Sequence, residues 1–341
     1  MNILLIMDPG ISIPPKGYGG IERIVALLAA EYSNQGHSVD LLASDGSFVK
    51  GCNIYVIGAE GFPPGKKVMK KAIFTAWNFI WKNRNKYDLI HNFGRLLYLL
   101  PVLNHRIQKI MCYQREITLR NISIFNKLPN KNIIYCGCSN DLIKRANAPG
   151  KWAAVHNAVD FNQFTLTENL PLDAPLIFLG RIEKIKGCHT AIEVAKKTNH
   201  QLIIAGNISP LIEEMEYFEK EIKPQIDGIK IVYIGEVNDI QKNAWLGKAK
   251  ALLMPIEWNE PFGIVMIEAM ACGTAVIGFN KGAVPEVIKN GVTGFLVNNK
   301  EEMISALDKI NNVKRKIVRN VSEKEFDVEI VANKYLQLFS E

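Results

Sequence analysis

The stretch ALLMPIEWNEPFGIVMIEAMACGTAVIG, Ala251 to Gly278, reads as strand, loop, helix and strand in direct succession. ALLMP is an apolar run of strand length, and the apolar run Ala275–Gly278 predicts the next strand. Two such runs joined by a helix imply parallel strands with helices packed on the sheet. The loop IEWNEPFG then falls at a strand's carboxyl end, where open α/β sheets collect their ligands. Pro261 and Gly263 permit a tight entry into the helix. The first-turn N–H groups, at about Gly263, Ile264 and Val265, lack helical partners and suit a phosphate. Glu260 precedes those donors, and Glu268 follows eight positions later, within reach of a vicinal diol. The plainer alternative makes Glu260 a helix cap and Glu268 an exposed helix residue.

The same alternation extends in both directions. Strands are expected at Asn2–Met7, Ser38–Ala43, Asn53–Ile57, Asp88–Asn92, Lys109–Tyr113 and Asn132–Cys138. A helix over about Ile21–Gln35 turns Ile21, Ile24, Val25, Leu28 and Tyr32 inward and stops at Gly36. The polar stretch FTLTENLPLDAP, Phe164–Pro175, carries two prolines and reads as an interdomain linker. Strands resume at Leu176–Leu179, Gln201–Ala205, Lys230–Ile234, Ala251–Met254, Ala275–Gly278 and Gly294–Val297. Two βα arrays of similar size imply domains at 1–165 and 166–325. A last helix in 326–341, over about Val328–Leu338, could pack back on either half.

Composition bounds the class. Among 341 residues, 48% are apolar and 22% charged, as in ordinary globular proteins. No apolar run reaches the ~18–20 residues of a membrane span. MNILLIMDPG has no basic lead-in and turns at Asp8-Pro9-Gly10, so it reads as a first strand and not a signal peptide. Six scattered cysteines read as reduced core thiols of a cytoplasmic protein. The net charge of +7 is uneven: residues 1–165 hold 20 Lys+Arg against 10 Asp+Glu, and the remainder 21 against 24. A basic first half suits an anionic membrane surface or an acidic acceptor. No nucleic-acid-binding motif accompanies it.

The segment Asn259–Gly278 resembles the glutamate–seven residues–glutamate signature of family 4 retaining glycosyltransferases, and the similarity covers nearly the whole chain. The resemblance implies an α/β protein of the GT-B fold, with two Rossmann-like domains facing across a cleft. It implies a nucleotide diphosphate-sugar donor, a saccharide or lipid-linked acceptor and no metal cofactor. Glu260 would hold the donor sugar's hydroxyls, Glu268 the ribose, and the amides after Phe262 the diphosphate. FLGRIEKIKG resembles the family's diphosphate loop, so Gly180, Arg181 and Lys186 would meet the leaving group. HNAVDFNQF is similar to a segment ahead of the family's second domain, with Asp160 turning the chain.

In the first half, PPKGYGGIER places Gly17, Gly19 and Gly20 before a helix. Glu22 stands where a dinucleotide fingerprint needs its last glycine, so that motif fails. The resemblance has the loop face the donor phosphates, with Gly19 and Gly20 in contact and Glu22 a plain first-turn residue. His91 in YDLIHNFG falls at a strand's carboxyl end and is a candidate for contact with donor or acceptor. Where family members often carry a further histidine, KIMCYQREIT has Gln114, flanked by Arg115 and Glu116. Glutamine donates a hydrogen bond but takes up no proton at neutral pH.

Two basic segments complete the reading. Lys66–Asp88 forms an amphipathic helix with Met69, Ile73, Trp77 and Ile80 in one stripe. Its lysines and aromatic residues fit either packing on its own sheet or a membrane interface. Lys309–Asn320 reads as a solvated helix face.

Overall fold

A computed structural model describes residues 1–17 and 19–339. The chain divides into two compact units: residues 1–158 with the segment from Val328 onward, and Val159–Asp327.

The first unit holds a wholly parallel sheet of seven strands. These are β1 (Asn2–Ile6), β2 (Ser38–Ser44), β3 (Cys52–Gly58), β4 (Leu89–Asn92), β5 (Gln108–Tyr113), β6 (Ile133–Gly137) and β7 (Trp152–Ala154). Their order is β3-β2-β1-β4-β5-β6-β7. Beside them run α1 (Gly20–Asn34), α2 (Lys66–Asn83), α3 (Leu119–Asn126) and α4 (Asn140–Ala146). The second unit holds β8 (Leu176–Leu179), β9 (Leu202–Ala205), β10 (Ile231–Tyr233), β11 (Ala251–Met254), β12 (Val276–Phe279) and β13 (Gly294–Val297). Their order, β10-β9-β8-β11-β12-β13, repeats that of the first six strands of the other sheet, again in parallel. Its helices are α5 (Cys188–Lys197), α6 (Ile212–Tyr217), α7 (Asp239–Lys248), α8 (Ile264–Ala271), α9 (Val284–Val287), α10 (Lys300–Lys309) and α11 (Arg315–Phe326). The last helix, α12 (Val328–Gln337), belongs to the first unit, where it packs against α1. Residues 340 and 341 of the expected 326–341 segment lie outside the described residues.

The central strands are apolar on both faces because helices cover both. Ile3, Leu4, Leu5 and Ile6 of β1 and Leu176 and Ile177 of β8 are fully buried. Both orders reverse at the first strand, creating a switch point between β1 and β4 and another between β8 and β11. Loops leaving paired strands in opposite directions open a crevice at such a point.

Three expectations need correction. The unit boundary falls at Ala158–Val159, ahead of the stretch read as a linker. That stretch is fastened to the second unit: Thr167 N–H donates to the Cys272 carbonyl, and Arg319 donates to the carbonyls of Phe161 and Phe164. Arg315 and Arg319, expected in solvent, thus bind buried backbone. The short, half-buried β7 was not foreseen, since WAA has neither the length nor the alternation of a strand signal.

Candidate functional site

In the second unit the motif residues gather around the β8/β11 switch point. Gly180 and Arg181 follow directly on β8, and a turn over Lys184–Lys186 comes next, closed by Gly187. Gly187 adopts φ 76°, and a Cβ there would lie 2.0 Å from the Pro255 carbonyl oxygen at the end of β11. Only glycine lets the two loops meet so closely. Lys186 forms an ion pair with Glu260, and its ammonium lies 5.0 Å from the centre of the Trp258 ring. The Trp258 indole N–H donates to the same carboxylate at 2.8 Å. The Glu260 backbone is held from the other side. Its carbonyl accepts from Ala283 N–H at 2.9 Å, and a Cβ on Gly282 would come within 2.5 Å of its backbone N and O.

Gly263 caps α8, and Gly263, Ile264 and Val265 remain partly exposed while the next five residues are buried. The helix therefore presents its N-terminus toward solvent and its body to the core. Glu268 lies just over one turn inside and is 7% exposed, not the exposed helix residue of the plainer alternative. A buried carboxylate needs a partner. Lys242 of α7 supplies it, in an ion pair whose side chains are 11% and 10% exposed. The α7 start is set by a capping box between Asn238 and Gln241, which puts Lys242 one turn into the helix. Arg181 pairs with Glu183 at 2.8 Å. Cations and carboxylates thus stand matched here: Lys186 with Glu260, Lys242 with Glu268, Arg181 with Glu183.

Phe262 is corrected. Its ring is 2% exposed and meets Phe326 edge-on at 6.1 Å, so it anchors the start of α8 in the core and leaves only backbone for a ligand. Lys242, Trp258 and Gly282 were missed as site residues. Trp258 lay in the quoted loop, two positions before Glu260; Lys242 is one lysine among many, and no local signal marks it.

The first unit holds the remaining candidates. His91 is corrected most plainly. It sits on β4 with no exposed surface, its Nδ1 3.2 Å from the Tyr32 hydroxyl and its Nε2 3.1 Å from Cys112 Sγ. Phe93 and Tyr335 flank the ring at 4.5 Å. Burial drives its pKa from 6.5 down to about 3, so it stays neutral, and the ring has no surface open to a ligand. The strand-end position that made it a candidate belongs to a strand buried throughout, and the ring is turned into the core.

Gln114, Arg115 and Glu116 leave the end of β5 and line a cavity of about 420 Å³ with Phe93, Tyr113 and Phe125. The Gln114 amide nitrogen is buried without a hydrogen-bond partner. Arg115 and Arg95 approach the Asp8 carboxylate at 3.8 and 3.7 Å, and Glu116 pairs with Arg145 at 3.6 Å. Burial raises the Asp8 pKa despite Arg95. Gly19 precedes α1 and Gly20 begins it. Glu22 is 7% exposed, and burial raises its pKa too, so it is no ordinary first-turn residue. Among the described residues no cluster of three or more His, Cys, Asp or Glu side chains is arranged to hold a metal ion.

Residues 168–323 match the family described as glycosyl transferases group 1. A relative of Klebsiella pneumoniae, named an uncharacterized 41.2 kDa protein in cps region, is 30% identical over 170 residues, 48% of this chain and 45% of that one. The chain thus spans about half the length of the curated relatives it matches. Sucrose-phosphate synthase from Thermosynechococcus elongatus superposes with TM-score 0.77 at 19% identity over 100% of this chain and 98% of the other. Anabaena HepE in complex with UDP-glucose does so with TM-score 0.75 at 16% identity over 100% and 99%. At those identities the likeness establishes the fold, which is GT-B.

Proposed function

From a chain whose residues 168–323 match the family of group 1 glycosyl transferases, we propose a retaining transferase that moves a sugar from a nucleotide diphosphate-sugar to a hydroxyl. The acceptor is a saccharide or a lipid-linked saccharide, as in envelope polysaccharide synthesis; the Klebsiella relative's name and the basic first half favour it. The observation that carries the reading is the pairing of Lys186 with Glu260 across the β8/β11 switch point, beside the N-terminus of α8. UDP-glucose in a structure of the same fold supports the donor class.

In this reading the diphosphate takes Lys186 and Arg181 from their carboxylate partners and lies on the amides of Gly263, Ile264 and Val265. Glu260, released from Lys186, holds sugar hydroxyls. Glu268, held in place by its ion pair with Lys242, accepts from the ribose diol. As the glycosidic bond breaks, charge grows on the leaving diphosphate, and fixed cations stabilise that state more than the ground state. Those cations take the place of a metal ion. No protein nucleophile is invoked. The acceptor attacks the face the leaving group departs from, and the departing phosphate takes its proton.

Calorimetric titration with UDP, GDP and ADP tests the donor site. Glu268→Ala is expected to weaken the diphosphate that wild type binds by about tenfold or more. Glu260→Ala should bind it nearly as well but lose on the order of 10²–10³ in turnover. Undiminished affinity in a Glu268→Ala protein that melts as a folded chain would overturn the assignment.

A further inference from the structure

We propose that α2 of the first unit is a docking surface for an anionic lipid bilayer. The helix spans eighteen residues without one Asp or Glu. Its inner face is settled: Met69, Ala72, Ala76 and Ile80 are buried in the core, and the Trp77 indole donates to the Leu97 carbonyl at 2.7 Å. At 3.6 residues per turn, the side chains of Lys67, Lys70, Lys71, Phe74, Trp81 and Lys82 fall within an arc of about 120° opposite that core. All six are exposed, Phe74 at 65% and Trp81 at 53%. Arg84 lies 4.1 Å over the Trp81 ring and adds its charge beside the same face.

Two large aromatic rings held in solvent cost free energy that burial on the protein itself would recover. Here the buried face is already filled, so the rings need an external partner. That partner must accept apolar rings and attract a face of one charge sign. An acidic bilayer surface does both: aromatic side chains enter the headgroup boundary while lysines meet lipid phosphate and carboxylate. A nucleic acid fits less well, since the face is convex, offers no groove for a strand and uses lysine where bidentate phosphate contacts favour arginine. The wider excess of 20 basic over 10 acidic residues in 1–165 points the same way. The proposal concerns the first unit and stands apart from the donor-site reading. Among the described residues no helix is long and apolar enough to cross a membrane, so attachment would be to the surface.

Flotation of the full chain with phosphatidylcholine vesicles, with and without phosphatidylglycerol, decides it. The chain is expected to rise with anionic vesicles at low salt and not with neutral ones, and to be released as salt is raised. Lys67→Glu with Lys71→Glu should lower binding at least about tenfold. Phe74→Ser with Trp81→Ser should keep binding at low salt and lose the part that resists moderate salt. All four side chains are solvent-exposed, so melting temperatures should stay near wild type, separating docking from folding. Equal flotation of the glutamate variant, equal affinity for neutral vesicles, or binding of duplex DNA without vesicle binding would each overturn the proposal.

Discussion

His91 exemplifies how burial decides what a titratable residue does. Its ring is enclosed by Tyr32, Cys112, Phe93 and Tyr335, and its pKa falls from 6.5 to about 3. Between those values the unfolded chain binds a proton that the folded one refuses. Stability is therefore complete above about pH 6.5 and declines as pH falls toward 3, by roughly 5 kcal/mol at most. In urea unfolding from pH 7 to 4, His91→Gln is expected to be less stable than wild type at neutral pH but to show a shallower acid decline. An identical slope would assign the acid sensitivity elsewhere. The contrasting case is Glu268, nearly as hidden but answered by Lys242 in an ion pair. Sequence alone marked both residues. It could not tell an enclosed neutral histidine from an ion-paired carboxylate, since that depends on what a different segment brings alongside.

At the scale of elements, α11 carries the least expected work. A lysine- and arginine-rich run ordinarily faces solvent. Here the Arg315 guanidinium reaches the carbonyls of Thr167, Gly247, Ala249 and Cys272 and the Thr274 hydroxyl. Burial brings its pKa down to about 10, which still leaves it charged at neutral pH. Five acceptors from three segments converge on one planar fork. An ammonium cannot reproduce that geometry. Arg315→Lys should therefore destabilise the second unit by about 2–4 kcal/mol, read as a lower urea midpoint. A change below about 0.5 kcal/mol would mean that water replaces the guanidinium at little cost. The same contacts explain why FTLTENLPLDAP is no free linker, although its prolines and polar residues imply one. Its backbone is satisfied by side chains about 150 positions further along the chain.

At the scale of the molecule, each unit has its own sheet and buried core and can unfold as its own transition. Scanning calorimetry is expected to resolve two transitions, with the one lowered by Arg315→Lys assigned to Val159–Asp327. The nucleoside diphosphate that binds should raise that transition, by ~2.7 kcal/mol of stabilisation at a hundredfold excess over Kd. If UDP, GDP and ADP all leave it unmoved while shifting the other, the donor site has been placed on the wrong unit.

The alternation of apolar runs with helical stripes was enough to place all but one of the strands and to give two α/β arrays, because strands buried on both faces leave a strong local signal. The Glu260–Glu268 spacing likewise marked a loop and helix start that the structure places beside the β8/β11 switch point. Tertiary structure alone decided which charges meet. Lys186, Glu260 and Gly282 are distant in sequence and adjoin at one switch point; Lys242 finds Glu268 only through the packing of α7 on α8; α2 shows its aromatic face only once its inner stripe is filled. Local pattern records which way a side chain points, and chain topology determines what it points at.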